Sequence, residues 1–191
     1  VDHNPIGRSW ALSLSPARAG VGVGYRHLGG TMPEPKRILF VCLGNICRSP
    51  TAHGVMLSKI EEAGLEDRIV VDSAGTGDWH IGAHPDPRAT AAAQIRGYEI
   101  AELIARQVAL DDFQTFDYIL CMDRNNLKAL RDICPGHLKS RLRLFLDFAD
   151  SGHETVPDPY YSGAQGFELV LDLVEDACTG LLNHIRREHL S

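Results

Sequence analysis

"ILFVCLGNICRSPTA", residues 38–52, sets four apolar residues directly before a cysteine and ends on an arginine, a serine and a proline. An unbroken apolar run of this kind reads as a strand buried on both faces, as in a parallel sheet. After Pro50 the apolar residues fall at Ala52, Val55, Met56 and Ile60, with Gly64 as a stop. That spacing predicts a helix with one buried face. Cys42 therefore stands at the carboxyl end of a strand, in the turn that leads to a helix.

The same alternation continues down the chain. "RILFV" (37–41), "IVVDS" (69–73), "FDYILCM" (116–122) and "LRLFL" (142–146) read as four strands. "DPRATAAAQIRGY", ending at Gly97, and "RNNLKALRDI" read as helices between them. The clearest helix is the last. Phe167, Val170, Leu171, Val174, Ala177, Cys178, Leu181, Leu182 and Ile185 form one continuous apolar stripe. Strand and helix in alternation predict an α/β fold with right-handed crossovers. Ligands in such folds bind beyond the carboxyl ends of the strands, where Cys42 is placed.

The turn after Cys42 has the chemistry of an anion cradle. Successive backbone N–H groups form a nest, and the helix N-terminus adds partial positive charge. Gly44 is expected to let the backbone turn sharply, and Asn45 tolerates left-handed geometry. Pro50 suits the first helical position, where no N–H is required. Arg48 has a planar fork that can hold two oxygens of an oxyanion. The guanidinium and the helix terminus both favour a thiolate at Cys42, and Ser49 is placed to donate to its sulfur. Such a loop binds a tetrahedral dianion and aims a nucleophile at its centre, which suits phosphoryl transfer through a phosphocysteine. A cysteine after an apolar strand is by itself an ordinary core thiol. Here the order of strand, Gly, Asn, Arg, Ser-Pro and helix favours the functional reading. There is no G-K-[ST] of a nucleotide loop, and Cys42 and Cys47 are too far apart for a C-x-x-C redox pair.

A leaving ester oxygen needs a proton, and "TVPDPYY" (155–161) supplies a candidate. Asp158 lies between Pro157 and Pro159, which stiffen the segment. A carboxyl held at a cleft mouth beside Tyr160 and Tyr161 is suited to general acid work.

Composition narrows the rest. The chain has 191 residues, 44% of them hydrophobic and 23% charged, the profile of one globular domain. A net charge of −6 argues against nucleic acid as a partner. No apolar run approaches the roughly 18 residues of a membrane span. The five cysteines are odd in number and form no disulfide framework, so reduced thiols and a cytoplasmic location are expected. The nine histidines make no HExxH, and no Cys/His set has zinc spacing, so no metal is expected. The first 31 residues differ: Gly and Pro punctuate them and no periodicity is sustained. Asp2, Arg8, Arg18 and Arg26 give them +2; taking this from −6 leaves −8 for the remainder. We expect residues 1–34 to be a disordered extension and residues 35–191 to be the catalytic domain.

"VCLGNICRSPTA" together with "DPYY" resembles the low-molecular-weight protein tyrosine phosphatase family. "DSAGTGDWHIG", "PDPRA", "ARQV" and "DFQTFDYILCMDRNNL" follow in the family's order, and the resemblance runs from about Lys36 to His189. It implies a three-layer sandwich with a four-stranded parallel sheet in the order 2-1-3-4, flanked by helices, and no cofactor. It implies Cys42 as nucleophile, Arg48 as the residue that binds phosphate and the transition state, and Asp158 as general acid and then base. Leu43, Gly44, Asn45, Ile46, Cys47, Arg48 and Ser49 would form the phosphate loop, with Asn45 and Ser49 ordering it. Cys47 would trap an oxidised Cys42 as a disulfide. Ile46, Trp79, Tyr160 and Tyr161 would wall an aromatic slot for a phenyl ring. Ile46 also argues against arginine phosphate, because the related arginine phosphatases carry a small polar residue there. The implied partners are phosphotyrosine proteins, a bacterial tyrosine kinase among them, with phosphate as product.

Two other readings compete. Arsenate reductases share the fold and the loop but relay electrons through further cysteines, and Cys121 falls in a predicted buried strand. A non-catalytic anion-binding module would keep the loop yet could dispense with Cys42 or Asp158.

Overall fold

The structure is a computed structural model, and it describes residues 33–190. The disorder expected for residues 1–32 lies outside the described residues; residues 33–35 form no regular element. The strands are β1 (Lys36–Cys42), β2 (Ile69–Gly75), β3 (Tyr118–Cys121) and β4 (Leu142–Leu144). The helices are α1 (Arg48–Glu62), α2 (Pro87–Ile95), α3 (Asp112–Thr115), α4 (Arg124–Ile133) and α5 (Ala164–His189). All four strands are parallel, in the order β2-β1-β3-β4.

β1 is central because its apolar run is buried on both sides. Ile38, Leu39, Phe40 and Val41 are all fully buried. Strand alternation divides them. Ile38, Phe40 and Cys42 face a core built with α1, α2 and α5, while Leu39 and Val41 face a second core with α3 and α4. The result is three layers with the sheet in the middle. Phe40 meets Phe145 edge to face, with centroids 4.9 Å apart, and truncating either ring to alanine would cost about 3–5 kcal/mol. Every residue of the stripe from Phe167 to Ile185 is buried along α5. Among the described residues no helix is long and apolar enough to cross a membrane.

Some boundaries differ from expectation. β4 ends at Leu144, and Phe145–Phe148 turn into a 3-10 helix. Phe145 and Leu146 are buried through that turn and not through strand pairing, so the apolar run outlasts the strand. β3 is shorter than 116–122, although Asp117 and Met122 still donate to Arg37 and Val41 carbonyls beside it. α1 begins at Arg48, so Pro50 occupies its third position, still in the first turn where the N–H has no intrahelical acceptor. α2 opens with Asp86 as N-cap accepting from Arg88 N and Pro87 as the first helical residue.

Candidate active site

β1 ends at Cys42, α1 starts at Arg48, and the five residues between them wrap back over the sulfur. Asn45 is the one non-glycine described with a positive φ, 55°. That turn sends its backbone N–H to Cys42 Sγ at 3.2 Å. Cys42 Sγ lies 3.0 Å from Ser49 Oγ, and Asn45 Nδ2 donates to the same hydroxyl at 2.9 Å. The second Asn45 amide hydrogen goes to Ser73 Oγ at 3.0 Å, and Asn45 Oδ1 accepts from Arg106 N at 3.0 Å. Every polar atom of the asparagine side chain is thus committed, which balances the strain of its left-handed backbone. Gly44 has no positive φ; a Cβ there would come within 2.8 Å of His80 Cδ2, a side-chain atom.

Arg48 is buried, with its side chain 4% exposed. Its Nη1 donates to Asp123 Oδ2 at 2.7 Å and to the Val156 carbonyl at 3.1 Å. Its Nη2 reaches Asp158 Oδ2 at 3.4 Å. The guanidinium is therefore aimed by two segments distant in sequence: the end of β3, where Asp123 also caps α4 through Asn126 N, and the Pro-Asp-Pro loop. That loop is tied down on both sides of Asp158. Val156 N donates to the Met122 carbonyl at 2.8 Å, and Arg88 Nη1 donates to the Tyr160 carbonyl at 2.9 Å. Asp158 Oδ1 accepts from Tyr160 N at 3.2 Å, a local turn.

The start of α2 joins the two loops. Asp86 N donates to the Ile46 carbonyl at 2.7 Å, and its carboxylate pairs with Arg88. The hydrogen bond from Arg88 is the main cause that holds the Asp86 carboxyl below its usual value. Cys47 feels the opposite influence. Burial first, then the charges of Asp86, Cys42 and Asp158, push its thiol up to about 12.

These groups meet in one cavity of about 390 Å³. Cys42, Leu43, Gly44, Ile46, Cys47, Arg48, Trp79, Asp158, Tyr160 and Tyr161 line it, and so does His80. Trp79 is 62% exposed, so it is a wall residue and not a core aromatic. Asn45 and Ser49 do not line the cavity; their side chains are buried behind the loop. Cys121, Cys134 and Cys178 are buried elsewhere in the core. Sequence reasoning passed over Asp123, Ser73, His80 and the Asp86–Arg88 pair. Asp123 and Ser73 sit at or near the carboxyl ends of β3 and β2, so the strand-end rule that located Cys42 could have flagged both.

The arrangement can hold an oxyanion against a sulfur and deliver a proton opposite it. The profile of the low molecular weight phosphotyrosine protein phosphatase family matches residues 37–190. The chain belongs to that family.

Its relatives agree. A putative low molecular weight protein-tyrosine-phosphatase of Synechocystis is 46% identical over 80% of this chain and 98% of its own length. The crystal structure of YfkJ from Bacillus subtilis superposes with a TM-score of 0.79 at 39% identity, covering 83% of this chain and 99% of that one. Vibrio vulnificus Wzb, solved in complex with benzylphosphonate, gives a TM-score of 0.69 at 27% identity over 78% of this chain and 98% of Wzb. The protein is a protein-tyrosine-phosphatase, a hydrolase acting on phosphoproteins.

Proposed function

We propose that this phosphatase hydrolyses phosphotyrosine, and aryl and acyl phosphate monoesters, through a phosphocysteine intermediate. Cys42 attacks phosphorus, Arg48 holds equatorial phosphate oxygens, and Asp158 protonates the leaving oxygen. Asp158 then takes a proton from the water that cleaves the S–P bond, releasing phosphate and regenerating the thiolate. The supporting observation is the convergence of Cys42 and Arg48 with Asp158, remote from them in sequence, on one 390 Å³ cavity. The sulfur already accepts a backbone N–H and neighbours a hydroxyl, so negative charge on it is stabilised before substrate arrives. Trp79, Tyr160 and Ile46 offer apolar surface for the phenyl ring, and benzylphosphonate bound to Wzb is a ligand of the same shape. The loop amides of Leu43 to Ser49 supply the phosphate cradle, with Asn45 and Ser49 ordering it from behind. The substrate proteins would include a bacterial tyrosine kinase in the cytoplasm, and the catalytic domain is residues 35–191.

Steady-state hydrolysis with chelator present tests this. Phosphotyrosine peptide should be turned over in preference to phosphoserine and phosphoarginine peptides. Cys42→Ser should lose at least ~10⁴-fold in kcat. Asp158→Ala should lose about 10²–10⁴-fold. A Cys42→Ser protein that keeps wild-type turnover would refute the phosphocysteine route.

Cys47 is the assigned partner of an oxidised Cys42. Peroxide converts Cys42 to sulfenic acid, which condenses with the Cys47 thiol to a disulfide and water. Both cysteines line the cavity, which supports the pairing. Wild-type enzyme should recover activity on adding thiol after peroxide, and Cys47→Ser should recover far less. Equal recovery of the two would remove Cys47 from this role.

A further inference from the structure

The hydrogen bonds behind the phosphate loop continue past Asn45. Ser73, on β2, lies 3.3 Å from Nδ1 of His53, on α1. His53 is 8% exposed and Ser73 4%, and the chemistry above uses neither. Burial is the main cause that pushes the His53 imidazole below its usual value. The charged groups acting on it are Asp72 of β2, which opposes the shift, and Arg106 of the loop before α3, which adds to it. Those two form an ion pair of 2.8 Å and act on the ring in opposite directions. Burial therefore favours the neutral ring.

Counting donors gives the chain one polarity. Both Asn45 amide hydrogens are used, by Ser49 and Ser73, and Oδ1 is held by Arg106 N, so the amide has one orientation. Ser73 Oγ accepts from Asn45, and among the described contacts His53 Nδ1 is the acceptor within reach of its own hydrogen. With Nδ1 in that role the ring proton sits on Nε2. Ser49 Oγ also accepts from Asn45, so its hydrogen is directed at Cys42 Sγ, 3.0 Å away, or the Ala74 carbonyl, 3.3 Å away.

We propose that His53 is a positioning residue for the nucleophile: as a neutral acceptor it holds Ser73, and through Ser73 the Asn45 amide, so that Ser49 donates to the Cys42 thiolate. The proposal rests on the phosphocysteine reading. A protonated Nδ1 would donate to Ser73 Oγ and leave the hydroxyl hydrogen without its acceptor, which weakens the arrangement that holds Asn45. The left-handed loop would lose one of the contacts that hold it.

Iodoacetamide alkylation of Cys42, followed by mass spectrometry on the full chain without substrate, reads the relay directly. Burial foremost raises the thiols of Cys47, Cys121, Cys134 and Cys178, so these four react slowly at neutral pH, and the peptide that carries Cys42 is the reporter. The variants are His53→Leu, which removes the acceptor, His53→Asn, which keeps an oxygen near the Nδ1 position without a titrating ring, Ser73→Ala, and His53→Leu with Ser73→Ala. At about pH 7, His53→Leu and Ser73→Ala should each slow alkylation and lower kcat by about 3- to 10-fold, the worth of one hydrogen bond, with KM little changed. The double variant should be no worse than either single. His53→Asn should restore most of the rate, and its alkylation should not carry the dependence on histidine protonation expected of the wild type. Wild-type alkylation and kcat in His53→Leu, or fully additive losses in the double variant, would overturn the proposal. If His53→Leu does not fold, Ser73→Ala decides, and wild-type alkylation there overturns it equally. The two readings fail separately. Slowed alkylation in the variants of a wild-type protein that hydrolyses no phosphotyrosine would sink the phosphatase chemistry and leave the relay. Normal hydrolysis with unaltered alkylation would sink the relay alone.

Discussion

The loop that carries Cys42 and the loop that carries Asp158 meet in the same cavity but are built in opposite ways. Asn45, Cys47, Arg48 and Ser49 are all at most 5% exposed, and each has hydrogen-bond partners inside the domain. Asp158 has a side chain 48% exposed, and its neighbour Tyr161 is 97% exposed. Those four residues of the first loop are part of the core, so the stability of the domain and the geometry around the sulfur depend on the same contacts. The second is a surface segment held by a few tethers, so Asp158 can change without disturbing the fold. A nucleophile gains from a fixed, desolvated setting, whereas a proton donor that must also admit water and release product gains from an open one.

Asp158→Ala should separate the two most sharply. Its loss of about 10²–10⁴-fold in turnover should come with a stability change within about 0.5 kcal/mol, since Arg48 keeps Asp123 and Val156. Asn45→Ala should instead lose both, because it orphans the partners at Ser49, Ser73 and Arg106. About 1–3 kcal/mol of stability and about 10²-fold in kcat is the expected scale, checked by urea unfolding beside kinetics. Asn45→Ala losing activity alone would mean that the loop is not part of the folding unit.

Two glycines sharpen the same point. A Cβ on Gly75, at the end of β2, would sit 2.8 Å from the Leu43 carbonyl oxygen and 3.2 Å from Asn45 N. Both are backbone atoms of the phosphate loop, so Gly75→Ala should cut kcat by about tenfold or more through misplacement of the cradle. A Cβ on Gly44 meets the His80 ring, a side chain that can swing aside. Gly44→Ala should therefore act mainly on KM, at the cavity wall. Equal effects of the two on kcat would contradict this division.

The smallest effects belong to the tether at α2. Arg88→Ala frees the Tyr160 carbonyl and should lower kcat a few-fold, with Cys42 alkylation unchanged. The same change removes the hydrogen bond that chiefly holds the Asp86 carboxyl down. A carboxyl depressed in the folded state stabilises above its unfolded value, here 3.8, and that contribution is lost as pH falls through the lower folded value. The unfolding midpoint of Arg88→Ala should therefore fall less steeply than wild type below about pH 4. Parallel curves would show that Arg88 does not depress Asp86.

The loop around Cys42 was legible because its geometry is written within one short stretch. Strand, turn and helix follow one another, and the groups that surround the sulfur lie at or near Ser49 and Asn45. The α5 stripe was legible for a similar reason, since helical periodicity repeats locally. β4 was harder to bound, because the burial of Phe145 and Leu146 depends on a core supplied by β1 and α5 and not on their own segment. Pro50 stands third in α1 because the helix already starts at Arg48, two residues earlier than the proline suggests; the closeness of Gly44 to His80 depends on a neighbour brought in from elsewhere.

By itself the sequence determined the alternation of elements, the parallel sheet, the anion cradle at the end of β1 and the candidate residues Cys42, Arg48 and Asp158. Backbone hydrogen bonding and hydrophobic periodicity act over a few residues, so one segment carries the information. Only the tertiary structure decided what aims those residues: Asp123 and Val156 on Arg48, Arg88 on the acid loop, and Ser73 and His53 behind Asn45. These contacts span 20 to 108 positions of sequence, and a chain meets itself at such distances only where the crossovers of the whole fold bring the strand ends together.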